Sequence, residues 1–329
     1  MKKVFCMLLS IILLAGCSTS QNMPTETTSQ LLKPEISSTT GSTVEEQYLR
    51  YSPYVVTDGA RQQLGEEYAL YCSMVDAVVS YDGSVSGFKS EHHFVKMWGV
   101  LLNEFIPAHK LIQTYVNSDT PYTYHDGTVQ FLFLNDRNEH EKYLSDFELK
   151  INQVLSKVNS TDSDVEIIAK LYEHVSYSMK YDMQYKTLYD CIMNDTGICG
   201  DYTRYLELLL NHAGIACQSA GGSGAGVDHS WLMAKIDGQW YHFDPTWESS
   251  FPCWYWFGVG DNIRHNSLVA GWMEAYIMGM GIENQEMDKS NLYLTGEWDY
   301  FDGKYLPPPE CPSDFKPNSR QSECRPEFW

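Results

Sequence analysis

Apolar residues return at helical spacing in three separate stretches of the chain. Leu64, Tyr68, Tyr71, Cys72, Val75 and Val79 form the first stripe, and Tyr143, Leu144, Phe147, Ile151, Val154, Leu155 and Val158 form the second. The third opens at Ser163-Asp164-Val165-Glu166, which has the form of a capping box, and continues through Ile167, Ile168, Leu171, Tyr172 and Val175. Between the first two, Val129 to Leu134 is apolar on both faces and reads as a strand. A further helix follows Cys199, with Tyr202, Tyr205, Leu206, Leu209 and Leu210 on one face and Gly214 placed to end it. The period then changes. Ile215 to Ser219 reads as a short strand and Gly221 to Gly226 as a flexible loop beside a site. Asp228 to Ile236 and Gln239 to Asp244 read as the arms of a hairpin closed by Asp237-Gly238. Helices followed by antiparallel strands imply an α+β fold.

The two ends of the chain have a different character. Lys2 and Lys3 precede an apolar run from Val4 to Ala15, too short to span a bilayer as a helix, so residues 1–16 read as a signal peptide. The run closes on Leu14-Ala15-Gly16-Cys17, which resembles the lipobox of bacterial lipoproteins, where the cysteine is acylated and becomes the mature N-terminus. Residues 17–44 are rich in Ser and Thr with few large apolar groups, and read as a lipidated tether that cannot offset its ordering entropy. Residues 45–122 are expected to form a mostly helical N-terminal region, and residues 295–329, with Pro307-Pro308-Pro309, Pro312, Pro317 and Pro326, an irregular tail. Leu268 to Ile282 is too short to cross a membrane and carries Glu274.

Composition narrows the partners. The net charge of −20 repels phosphate backbones, which argues against nucleic acid. Of the nine cysteines, Cys6 leaves with the signal and Cys17 takes lipid. Setting Cys199 aside leaves Cys72, Cys191, Cys217, Cys253, Cys311 and Cys324, whose pairing the sequence does not choose, although Cys311 and Cys324 lie close in the tail. With no Cys-x-x-Cys there is little support for a structural zinc site, and no cofactor is expected.

The chemistry concentrates between Gly197 and Trp247. Cys199 stands at a helix start, where unpaired amides and the helix dipole stabilise a thiolate. In the hairpin, Ile236 faces Gln239, so Trp231 would face Asp244 and His229 would face Thr246. His229 and Asp244 then share a sheet face as diagonal neighbours about 7 Å apart, within reach of an imidazole–carboxylate hydrogen bond. A thiol at a helix start and a histidine oriented by a carboxylate are what nucleophilic acyl transfer needs.

Gly197-Ile198-Cys199-Gly200-Asp201-Tyr202, then Leu208-Leu209-Leu210-Asn211-His212-Ala213-Gly214-Ile215, His229-Ser230-Trp231 and Ile236 through Trp247 resemble the core of the transglutaminase-like superfamily. The likeness is clear from Ser163 to Trp247 and looser back to Tyr143. It implies a papain-like arrangement, a nucleophile-bearing helix packed on an antiparallel sheet, within a domain spanning 123–294. It also implies that Cys199, His229 and Asp244 are the catalytic triad. Ser230 stands where many members carry Ala. The Cys199 backbone amide is a natural oxyanion donor, and Tyr181, in a Tyr-Asp pair the family often has, is a candidate for the second.

The expectation is an exported cysteine acyltransferase or hydrolase, lipid-anchored to a bacterial membrane and facing outside the cytoplasm. It would act on an extracellular peptide, protein or cell-wall peptide through a thioester. Hydrolysis is favoured over crosslinking because water is always present there. The alternatives are a catalytically silent surface binding module on the same fold, against which an intact triad argues, and a solute-capture lipoprotein, which predicts no thiol reactivity.

Overall fold

Hydrophobic spacing and side-chain caps together lay out the first half of the chain. In the computed structural model, the described residues are 49–112, 122–184, 186–224, 227–250, 254, 256–260, 293–294, 298–299, 304–305 and 309–315. The signal peptide, the tether with Cys17, Cys253, Cys324 and the stretch from Leu268 to Ile282 lie outside them. The first stripe is split into α1 (Asp58–Leu64) and α2 (Tyr68–Val79), because Gly65 takes φ +48° and breaks the helix. The Thr57 hydroxyl caps α1 by accepting from Ala60 N–H at 3.2 Å. After β1 (Ser84–Ser86), α3 (Glu91–Glu104) and α4 (Ala108–Leu111) come β2 (Tyr122–His125) and β3 (Thr128–Phe131). These three strands form one antiparallel sheet in the order β1-β3-β2, which straddles the boundary near residue 122. The expected strand from Val129 to Leu134 is therefore shorter and one residue earlier, and belongs to a hairpin with β2.

The second and third stripes become α5 (Arg137–Leu155) and α6 (Asp164–Ser178). The Glu166 carboxylate takes both the backbone N–H and the hydroxyl of Ser163, at 3.0 and 2.8 Å, so the capping residues start α6 where the pattern predicts. Next come β4 (Lys180–Tyr181), α7 (Leu188–Asn194), β5 (Thr196–Gly197) and α8 (Cys199–His212). The antiparallel sheet then forms from β6 (Cys217–Gly224), β7 (Val227–Ile236), β8 (Gln239–Phe243), β9 (Phe257–Val259) and β10 (Tyr293–Leu294), ordered β10-β6-β7-β8-β9. Between β8 and β9 lies α9 (Pro245–Ser250). The fold is α+β, as expected.

Two readings fail here. The tail expected to be irregular from residue 295 contains a short antiparallel pair, Trp298–Asp299 with Lys304–Tyr305. Gly221 to Gly224 are not a loop but the end of β6, paired with β7 from Gly221↔Ser230 to Gly224↔Val227. A run of glycines carries no alternating side chains, so the sequence hides a strand whose ladder bonds are made by backbone alone.

The described residues belong to one compact unit with two main hydrophobic clusters. The first packs Tyr202, Tyr205, Leu206 and Leu209 of α8 between Ile168, Leu171, Tyr172 and Val175 of α6 and Leu232, Ala234 and Phe243 of the sheet. Each such side chain, fully buried, contributes about 1.5–3 kcal/mol, so α8 cannot shift on the sheet without losing several of these contacts. The second cluster, around Phe94, Trp98, Tyr122 and Phe131, holds the N-terminal helices on β1-β3-β2. Among the described residues no helix is long and apolar enough to cross a membrane.

Candidate active site

Cys199 is the first residue of α8, and the residue before it decides its surroundings. The N-cap is Ile198, whose side chain offers no acceptor to the amides of the first turn. The Gly200 N–H is thereby left to hydrogen-bond the Cys199 sulfur, and the Ser230 N–H of β7 does the same. The Ile198 N–H goes to Asp201 Oδ2 at 2.9 Å. Gly197 admits that carboxylate: a Cβ there would lie 2.6 Å from Asp201 Cβ.

His229 projects from β7, and its Nε2 lies 2.6 Å from Asp244 Oδ2 with the two side chains only 6% and 7% exposed. The Cys199 thiol hydrogen-bonds the same imidazole, for which Nδ1 is the nitrogen left. The three residues named from the sequence therefore meet in one line, from α8 across β7 to the end of β8.

Asp244 reaches this position by a different route from the one expected. The ladder between β7 and β8 stops at Leu232↔Phe243, so the facing pairs Trp231–Asp244 and His229–Thr246 do not form. Instead Asp244 begins α9, with Pro245 at the first helical position, where its missing N–H costs nothing. Asp244 Oδ1 accepts from the N–H groups of Thr246 and Trp247 at 3.1 and 2.9 Å, which leaves Oδ2 for the histidine. The Tyr172 hydroxyl donates to the Asp244 carbonyl at 3.1 Å and to Glu248 at 3.2 Å, tying this corner to α6.

Electrostatics follow from these contacts. Burial pushes the Cys199 thiol up, but the His229 hydrogen bond and charge, with the two backbone amides, outweigh it and hold the thiol below its ordinary 9.0. Burial pulls His229 down, but the charge and hydrogen bond of Asp244, joined by Cys199, raise it from 6.5 to about 10. The two shifts describe one coupled pair that favours thiolate and imidazolium together. Cys72 and Cys191, elsewhere in the fold, both go the other way. Burial raises Cys72, and burial with Asp201 pushes Cys191 up to about 12. The pairing expected between Cys311 and Cys324 lies outside the described residues.

Tyr181 is 54% exposed. It sits on β4, paired in parallel with Gly197 of β5, and the Asp182 N–H donates to the Gly197 carbonyl at 2.9 Å. Burial raises its phenol, as do the charges of Cys199 and Asp201, so the ring is within electrostatic range of the thiol. His242 is buried and accepts from Trp231 Nε1–H at 2.9 Å. Two rings flank His229 that the sequence reasoning missed in this role: Trp231 at 5.9 Å and Trp247 at 4.7 Å between centroids. The signal for Trp247 was Asp244-Pro245, a helix start that places residue 247 on its first turn. Among the described residues no group of three or more His, Cys, Asp or Glu side chains is placed to hold a metal ion.

Fold and site define an α+β protein with a Cys–His–Asp constellation between a helix and an antiparallel sheet. The sequence model of the Transglutaminase-like superfamily matches residues 150–245, and over this segment the chain is similar to that superfamily. No curated protein matches the chain. Similar solved structures include a protein from Cytophaga hutchinsonii designated a cysteine protease, at 18% identity over 32% of this chain and 37% of that one, TM-score 0.26. Another is a TGase, at 14% identity over 41% and 49%, TM-score 0.28. A third is the periplasmic domain of TgpA from Pseudomonas aeruginosa, at 13% identity over 47% and 68%, TM-score 0.27. The chain thus spans less than half the length of the first two.

Proposed function

We propose that this chain is a cysteine enzyme that cleaves peptide or isopeptide amides through a thioester, passing the acyl group to water. The carrying observation is the continuous hydrogen-bonded line from the Cys199 thiol through His229 to Asp244. The thiolate attacks the amide carbonyl, and the tetrahedral oxyanion is held by the Cys199 backbone N–H and the Tyr181 hydroxyl. As the C–N bond breaks, the His229 imidazolium gives its Nδ1 proton to the leaving amine. Water, losing a proton to the neutral imidazole, then attacks the thioester, and the C–S bond breaks to release a carboxylic acid and the thiolate. Asp244 accepts the hydrogen bond from Nε2–H and holds the ring in orientation throughout.

The substrate on this reading is a peptide, protein or cell-wall peptide outside the cytoplasm, and Cys17 carries the lipid that holds the enzyme at the membrane. A single acyl chain anchors only weakly, so the mature end carries more than one. Metabolic labelling with a fatty-acid probe, lost in Cys17→Ser, tests this part; an unlabelled wild type rejects it. The test of the chemistry is a thiol-directed probe on the folded protein near neutral pH. Wild type labels fast and Cys199→Ala does not. Equal labelling of the two would sink the proposal.

A further inference from the structure

Trp247 touches both residues that share the imidazole proton. Its backbone N–H donates to Asp244 Oδ1 at 2.9 Å, and its indole lies over the His229 ring, centroids 4.7 Å apart and planes 14° from parallel. Trp256 meets that indole edge-on, at 4.7 Å and 68°, which fixes its plane. Trp231 also lies beside His229, but farther off and with its N–H committed to His242.

We propose that Trp247 is a positioning residue for the acyl transfer: its ring face holds the cationic imidazole of His229 in the plane that joins Asp244 to Cys199. The inference rests on the reading of Cys199 and His229 as the reacting pair. An indole face is negative and attracts a cation laid over it, so it favours thiolate with imidazolium over thiol with neutral imidazole. The charged groups that bear on His229 are Asp244, at the corner of β8 and α9, and Cys199, at the start of α8. His242 on β8 faces Trp231, and Glu248 on α9 is bound to Tyr172 and Tyr177. The uncharged indole of Trp247, the nearer of the two rings stacked on His229, is a further contact that distinguishes the two protonation states.

The test is the pH dependence of Cys199 alkylation by iodoacetamide in the full chain, compared among wild type, Trp247→Phe and Trp247→Leu. Leucine keeps an apolar cover and removes the ring face. The rise of the alkylation rate should move up by about half to one and a half pH units in Trp247→Leu, and by less in Trp247→Phe. Fluorinated tryptophans placed at position 247 keep the shape and withdraw density from the ring face, and should shift the profile upward in step with fluorine content. A Trp247→Leu protein or a fluorinated series with the wild-type profile overturns the proposal. Those results leave the acyl-transfer reading standing when wild-type Cys199 reacts fast. A wild type whose Cys199 reacts only as an ordinary thiol overturns both.

Discussion

Two hairpins of this chain close on the same dipeptide and come to different ends. Asp126-Gly127 joins β2 to β3, and Asp237-Gly238 joins β7 to β8. Both pairs take positive φ, 45° and 77° in the first, 51° and 81° in the second, as a two-residue turn between twisted strands demands. Each turn sets its register at once, His125 opposite Thr128 and Ile236 opposite Gln239. The first hairpin spends its strands on packing: Tyr122, Val129 and Phe131 go into the aromatic cluster of the N-terminal helices. The second is central in the larger sheet, and at its far end β7 carries His229 while β8 hands Asp244 to α9. Turn chemistry decides register in both. Reactivity depends on what stands where the ladder ends.

The contrast breaks most sharply at His229. Replacing it by Ala removes the proton shuttle, and single-turnover acylation by a generic amide should fall on the order of 10⁴-fold or more, to the level of Cys199→Ala. A matched change in the other hairpin, Thr123→Ala on the exposed face of β2, should leave that rate unchanged. Near-wild-type acylation in His229→Ala would identify another base. A large loss in Thr123→Ala would show that the two hairpins are not functionally separate.

Asp244 sharpens the comparison because it does two jobs with two oxygens. Asn at this position keeps an oxygen for the Thr246 and Trp247 amides but loses the charge opposite His229. Acylation should drop on the order of 10⁴-fold with little change in stability. Asp244→Ala should add the loss of a helix cap, about 1 kcal/mol by urea unfolding. The pH profile carries the same information. Wild-type acylation should rise as the thiol deprotonates below its ordinary 9.0 and fall as His229 deprotonates near 10. Without the aspartate charge, the raised pKa of His229 must come down, so the alkaline limb should move to lower pH in Asp244→Asn. An unmoved limb would mean that Asp244 is not the source of the shift.

How much of this was legible follows from which forces are local. Helix stripes, the Ser163–Glu166 start of α6 and the Asp237-Gly238 turn are written in neighbouring residues, and the structure has each of them. The helix start at Cys199 is equally local, but the register expected to set Asp244 beside His229 does not extend that far, since the ladder ends at Leu232↔Phe243. The first hairpin was missed although Asp126-Gly127 is the same signal, because only its second arm has a strongly apolar run. The end of β6 reads as a loop in the sequence because glycines carry no pattern, and only its ladder with β7 reveals the strand. The end of β8 was placed one residue late: Asp244-Pro245 continues a strand by hydrophobic pattern but starts a helix by capping, and capping prevailed. Trp247 over His229 depends on that choice, so it stayed out of sight with it.

The smallest effects should appear in the turns themselves, and they should be unequal. Alanine at Gly127 or Gly238 meets the same left-handed backbone, which costs about 1–2 kcal/mol. Around Gly238 an added Cβ finds nothing within 4 Å, so the strain is the whole penalty. At Gly127 the same atom would lie 2.7 Å from the Phe88 carbonyl oxygen, closer than contact allows. That oxygen belongs to a backbone pinned by its own bonds, since the N–H groups of Gly87 and Phe88 both donate to the Gly127 carbonyl, at 3.0 and 3.1 Å. The clash cannot be relieved by rotating a side chain, so Gly127→Ala should lose a further 1–3 kcal/mol or so, the usual scale for overpacking. Urea midpoints should therefore order as wild type, Gly238→Ala, Gly127→Ala. Labelling of Cys199 in the folded state should stay fast in both, because neither turn touches the far end of the β7–β8 ladder. Equal midpoints for the two variants would mean that the turns are equivalent in their surroundings as well as in sequence. Slow labelling in Gly238→Ala would show that the register set at the turn is transmitted to His229.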